Sequence, residues 1–247
     1  MANNAVAVSS NEYGKILTYS ALDSLTDITA EGWFYAGSSS PYATAFSIAT
    51  GSATAYLKLS TENGSPSSGV NFGLYYSGTN ADGYKSSGVF DASTWVHVAI
   101  VGQENQVTKI LKNGTEISSY DLQQTPSGSL TYGTAADMWV GDRYDLARPF
   151  IGAFACFRVW NYARSEAETA ADLDYYLDPS KESGLVVNCN VNEGSGTVAA
   201  NDVASSNDCY LYNSPSWTTG PTLSAKSYPT TETIKDTLGT GIIPFAR

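Results

Sequence analysis

The chain has 247 residues, of which 42% are apolar and only 15% charged, enough for one sizeable core solvated mainly by Ser, Thr, Asn and Gly. Its formal net charge of −11 is the opposite of the basic face that a nucleic-acid binder presents, and no run approaches the ~20 apolar residues of a membrane span. Residues Met1–Ser10 lack the basic region and apolar stretch of a secretory signal,, so they read as an N-terminal arm.

Short alternating runs follow one another, broken by Gly, Ser, Asn and Asp, as in a β-sandwich. The predicted strands are Lys15–Tyr19, Ile28–Tyr35, Ala43–Ile48, Ala55–Leu59, Val70–Tyr76 and Trp95–Val101. Next come Thr108–Leu111 and Thr115–Ser118, joined at Asn113-Gly114. That pair is favoured in a tight hairpin because both central residues take positive φ. Asp137–Val140, Gly152–Trp160, Leu185–Val191 and Cys209–Tyr212 complete the set. One helical signal interrupts them. Ser165 followed by Glu168 is a capping-box pattern, Ala-rich sequence runs on to Tyr176, and Pro179 is a stop. The three cysteines, Cys156, Cys189 and Cys209, cannot all pair within one chain. They read as free thiols packed in strands, with a Cys189–Cys209 bridge as the alternative.

Several segments, in order, resemble the laminin-G-like and concanavalin-A-like lectin/glucanase superfamily. Trp95-x-His97-x-Ala99 is one. Met138–Gly141 with Phe150–Asn161 is similar to the family's closing hairpin and its G-x-I-D-x-x-R-I-W-N strand. Gly184–Gly196, ending Glu193-Gly194-Ser195-Gly196, resembles the next strand and turn; Asp202, Asn207-Asp208 and Trp217 follow at similar spacing. The resemblance covers residues 11–217. It implies an all-β fold, a two-sheet antiparallel jelly-roll sandwich with one short helix. Residues 218–247 fall outside it as a Pro-punctuated tail with an apolar Ile242-Ile243-Pro244-Phe245 tip.

Catalytic residues are not expected. Glycosidases of this resemblance carry Glu-x-Asp-x-x-Glu to flank a sugar bond with carboxylates, and none of the ten Glu residues has Asp two positions later. The sole His, His97, lies within a strand and reads as structural. Asp172 and Asp174 read as solvated helix charges. A carbohydrate site needs rings for stacking and polar groups for hydroxyls; Tyr75, Tyr76 and Tyr84, or Asp142, Arg143 and Tyr144, offer these. No cofactor is required. The resemblance does imply an optional calcium ion, whose oxygen ligands would come from Asp142 and Asp145, or from Glu193, Asp202 and Asn207. Ala155, however, stands where the family pattern has Asp.

The expected function is a non-catalytic virion surface protein, such as a capsid decoration, fibre or tail component, presenting a lectin-like sandwich. Its tail would engage other virion proteins or sister subunits, and its loops a surface glycan. The alternative is a secreted or cell-surface carbohydrate-binding or adhesion module. Neither reading involves nucleic acid or insertion into a membrane.

Overall fold

The computed structural model describes residues 3–17, 19–23, 25–37, 43–50, 54–61, 70–74, 81–85, 89–106, 108–117, 121–122, 127–128, 130 and 135–229. The alternating runs become strands because alternation gives each one a face for a core. The first seven are β1 (Asn4–Val8), β2 (Tyr13–Ile16), β3 (Ile28–Ala36), β4 (Thr44–Thr50), β5 (Thr54–Thr61), β6 (Val70–Leu74) and β7 (Ala81–Lys85). Then follow β8 (Trp95–Gly102), β9 (Lys109–Lys112), β10 (Thr115–Glu116), β11 (Asp121–Leu122), β12 (Asp137–Val140) and β13 (Gly152–Trp160). Helix α1 (Glu166–Asp172) precedes β14 (Tyr175–Tyr176), β15 (Leu185–Cys189), β16 (Val198–Ala199), β17 (Cys209–Tyr212), β18 (Ser216–Thr219) and β19 (Ser224–Ala225).

Two antiparallel sheets form the expected sandwich. One runs β10-β9-β8-β3-β13-β1-β18, with β15 also paired to β13; the other runs β11-β7-β6-β5-β4-β12-β2-β17-β16. Their inner faces share one core, in which Phe34, Phe154, Phe157 and Ile100 of the first sheet meet Phe46, Ile48, Phe72 and Met138 of the second. The Phe34 and Phe46 rings stack across the gap at 5.8 Å. Asn113 and Gly114 take φ of +50° and +79°, so the hairpin from β9 to β10 forms as its sequence predicts.

Strand β13 organises the first sheet. Along one edge it pairs with β3; along the other, β1 meets its first half and β15 its second. Its register against β3 slips between Ala155 and Arg158, which lie opposite Trp33 and Glu31. Three steps on β13 therefore match two on β3, and Cys156 at φ +45° is the bulge,. The extra residue leaves Phe157 and Val159 in the core and turns Arg158 and Trp160 outward.

Several boundaries differ from the sequence reading. Residues 4–8, read as part of an arm, are strand β1 inside the first sheet; Ala5 and Ala7 are too small to mark a hydrophobic alternation. Helix α1 keeps both halves of its capping box, Ser165 and Glu168, but ends at Asp172, not Tyr176. Tyr175 and Tyr176 instead pair in parallel with β19, and Pro179 opens a 3-10 turn. The boundary drawn at Trp217 falls within β18, which pairs with β1. Residues 218–229 fold back on the sandwich: Leu223 is buried with Tyr176, Ala5 and Ala153. The Ile242–Phe245 tip lies outside the described residues. All three cysteines are buried free thiols, and burial pushes Cys189 and Cys209 well up from the usual thiol range.

Candidate functional site

The outer faces of the two sheets differ. That of the first sheet is covered by α1 and the segment from Tyr175 to Tyr228. Trp33 on β3 donates its indole N–H to the Leu173 carbonyl, 2.8 Å away. Beneath this cover lies a charged cluster that sequence reasoning missed. Glu31 Oε1 accepts from Trp160 Nε1 and Arg164 Nη1, both at 3.0 Å. Arg164 also reaches Asp172 Oδ2 and the Glu168 carbonyl, and its guanidinium stacks 4.1 Å over the Trp160 ring. Arg158 Nη1 stands 3.7 Å from Glu31 and donates to the Asp172 carbonyl. Lys226 bridges Asp172 (2.7 Å) and Glu182 (2.6 Å), and Tyr228 donates to Glu182. Asp172, expected to be a solvated helix charge, is thus buried and ion-paired, because its end of α1 packs onto the sheet; Asp174 in the following turn is exposed.

His97 belongs to the same layer. Its ring lies edge-on to Trp33 at 5.6 Å, and Nε2 is 4.0 Å from Glu31 Oε2. Burial lowers its pKa to about 4, with Glu31 opposing and Arg158 and Arg164 assisting. Its backbone is tied to Asn113: the His97 N–H donates to Asn113 Oδ1, and Asn113 N–H donates to the His97 carbonyl. A neutral imidazole at 1% exposure has no path to a substrate, so this layer is structural.

The outer face of the second sheet carries aromatic rings with no covering element among the described residues. Tyr13 on β2 and Tyr212 on β17 are register partners, and their rings stack at 5.0 Å and 10°. Trp139 on β12, opposite Lys15, packs into the same cluster with Tyr144 and Ala49. Tyr13 and Trp139 are buried within the cluster, Tyr212 and Tyr144 are half-buried, and Tyr210 is exposed. Lys15 Nζ lies 4.5 Å over the Trp139 ring and pairs with Asp137 at 2.8 Å.

The loop after β12 borders this patch and holds the predicted Asp142, Arg143 and Tyr144. Asp142 is buried; Oδ1 accepts the amides of Arg143 (2.7 Å) and Arg148 (3.0 Å), while Oδ2 has no protein partner. Burial raises its pKa against those two bonds. Tyr13 is likewise raised, first by burial and then by Tyr212 and Asp142. Arg143 grips Asp145 with Nε at 2.8 Å and Nη2 at 2.5 Å and lies 5.7 Å over the Tyr144 ring.

Other predicted residues lie apart. Tyr75 and Tyr76 fall outside the described residues. Tyr84 is on β7, opposite Asp121 of β11, near the far end of the sheet from β2. Of the calcium candidates, Asp145 is occupied by Arg143. Glu193 Oε1 accepts the Ala200 amide, Asp202 Oδ2 accepts Asn190 Nδ2 at 2.6 Å, and Asn207 donates to the Leu17 carbonyl. These carboxylates spend oxygens on the turns they close, and among the described residues no three His, Cys, Asp or Glu converge as a metal site. A groove of about 550 Å³ is lined by Leu177, Asp178, Pro179, Ser180, Asp202 and Val203, but Asp178 caps Ser180 and Asp202 holds Asn190. No described helix is long and apolar enough to cross a membrane.

The aromatic patch is therefore the better candidate. The Asp142-Arg143-Tyr144 run was readable in the sequence, whereas Tyr13 and Tyr212 come from opposite ends of the chain; only the pairing of β2 with β17 brings them together. Their place on alternating strands was the one available signal.

Comparison with known proteins agrees with the architecture. A putative carbohydrate-binding protein from Bacteroides ovatus superposes with a TM-score of 0.62 at 18% identity, over 89% of this chain and 60% of its own length; this chain thus spans less than two thirds of that protein. A heptameric SAP-like pentraxin from Limulus polyphemus matches with a TM-score of 0.50 at 13% identity, over 68% of this chain and 80% of the pentraxin. The carbohydrate-binding module CBM40 of a Ruminococcus gnavus IT-sialidase, bound to α2,3-sialyllactose, also has a TM-score of 0.50, at 19% identity, over 68% of this chain and 96% of the module. No curated protein matches the sequence. The sequence model of the concanavalin A-like lectin/glucanases superfamily matches residues 9–170, and this chain belongs to that superfamily.

Proposed function

We propose that the chain is a non-catalytic carbohydrate-binding module working outside a cell or at its surface, with the open face of the second sheet as its platform. The observation that carries this is the asymmetry of the two outer faces. One is sealed by α1 and the returning C-terminal segment; the other presents the half-buried Tyr212 and Tyr144, packed over a buried Tyr13 and Trp139, beside Arg143 and a buried carboxylate. Rings of this kind stack on the apolar face of a pyranose, and the flanking polar groups fix its hydroxyls. Two structural neighbours are described as carbohydrate-binding, which supports this reading over a virion role; none of the three neighbours is a virion protein. Recognition on this platform calls on no cofactor.

The test is a polysaccharide panel in affinity electrophoresis, followed by calorimetry on any hit. Wild type should be retarded by at least one polysaccharide and release no reducing ends. Tyr212→Ala or Tyr144→Ala should weaken binding up to about tenfold, the worth of one stacked ring. Binding that is unchanged in both variants would place the ligand elsewhere.

A further inference from the structure

Among the described residues, Lys15 and Arg143 lie on rings of the aromatic patch, and each is already committed to a carboxylate. Lys15 pairs with Asp137 at 2.8 Å while lying flat on Trp139. Arg143 holds Asp145 through a two-pronged fork while lying on Tyr144. The fork shows in both partners: the hydrogen bond from Arg143 holds Asp145 below the usual carboxylate range, and the same bond raises Arg143. Next to the fork stands Asp142, with one oxygen spent on two amides and the other unpartnered. Lys58, a further cation of the same sheet, lies against Gly73 on the side of β5 and β6, with β4 and β12 between it and β2.

From this pairing we infer that the platform selects uncharged sugars, and that Asp137 and Asp145 are the residues that set the selectivity. The inference rests on the carbohydrate-binding reading of the patch. A uronate or sialate carboxylate seeking Arg143 must displace Asp145, which is tethered two residues away and so competes at a high effective concentration. It must also approach Asp142 on a protein of net charge −11, where the field repels anions. A neutral pyranose meets neither obstacle. It stacks on the tyrosines, and its hydroxyls donate to carboxylate oxygens without breaking a pair. The two aspartates thus mask cations that would otherwise serve as anion sites, a repulsive element against the wrong ligand rather than an attraction for the right one.

The experiment compares wild type, Asp145→Asn, Asp137→Asn and the double variant. The ligands are neutral galactomannan, xyloglucan, β-glucan and arabinan, against alginate, polygalacturonate and sialyllactose. Wild type should bind at least one neutral ligand and be indifferent to the acidic ones. In the variants the ratio of acidic to neutral affinity should rise about tenfold, and the gain should vanish in high salt. The side chains of Arg143 and Asp145 are 27% and 35% exposed and those of Lys15 and Asp137 19% each, so thermal melts of Asp145→Asn should stay close to wild type; if either single variant is misfolded, the other alone carries the test through its own cation. Wild type binding acidic ligands as tightly as neutral ones would overturn the selectivity while leaving carbohydrate binding intact. Folded variants that bind neutral ligands without any rise in the ratio would overturn the role of the two aspartates. If no ligand of either kind binds wild type, the carbohydrate reading fails, and the selectivity with it.

Discussion

Acidification should destabilise this fold through a single side chain. His97 is 1% exposed, and both its ring nitrogens lack hydrogen-bond partners. Unfolded, it would bind a proton near its usual pKa of 6.5; folded, only near 4. Between those values the unfolded chain holds the extra proton, so the stabilisation is complete above pH 6.5 and is lost as pH falls towards 4. The shift is worth about 3 kcal/mol in full, and about 2.5 kcal/mol of it should be gone at a pH of about 4.5. Glu31, Arg158 and Arg164 are the charges facing the ring; burial dominates, Glu31 opposes it, and the two arginines add to it. Carboxylates such as Glu168 and Asp145, held low by bonds from Ser165 and Arg143, add a loss of their own at lower pH. The measurement is therefore a difference: urea unfolding of wild type and His97→Phe near neutrality and at a pH of about 4.5. Phe fills the same space beside Trp33 and cannot titrate, so its packing cost is the same at both pH values. Wild type should lose about 2.5 kcal/mol more than the variant. Parallel losses would refute the argument, showing that His97 is solvated or paired in solution.

Two further expectations concern the covered face. Arg164→Met removes the cation shared by the buried Glu31 and Asp172, leaving them Arg158 at 3.7 Å and Lys226 at 2.7 Å, which should cost about 3 kcal/mol in urea unfolding,. Lys226→Met should cost about 1–3 kcal/mol and should also free the segment after Leu223, read as faster protease cleavage there while the sandwich stays intact.

The parts of this fold set by local chemistry were legible. Asn113-Gly114 specifies its turn by backbone sterics, and Ser165 with Glu168 specifies a helix start by donors that must be satisfied nearby. What could not be read was decided by partners remote in sequence. Asp172 looks like a surface charge until Arg164, Lys226 and the outer face of β3 are assembled around it. Strand β1 hid because Ala5 and Ala7 fit under Tyr176 and Leu223, where larger residues would have signalled a strand but would not have packed. At the candidate site, Asp142, Arg143 and Tyr144 showed themselves as a cluster on one loop. Tyr13 and Tyr212 gave no such sign, since each is an ordinary outward strand residue until the register sets them face to face.

The bulge at Cys156 gives the central strand something like a reading frame. Before it, Ala153 and Ala155 are the outward set; after it, Arg158 and Trp160 are. Inserting one residue just after it would send the guanidinium of Arg158 into the oily interior and push Phe157 and Val159 out beneath the helix, whereas deleting Cys156 would restore plain alternation and keep those faces,. Gly32 is the matching half of the device: a Cβ at that position would sit 2.8 Å from Phe157 Cβ, so the shifted phenylalanine fits only because its neighbour has no side chain. Substitutions elsewhere could not restore the frame, because β3 and β15 both key to the shifted half of β13. Length variation in this chain should therefore accumulate in its loops, and insertions should be purged from Gly152–Trp160.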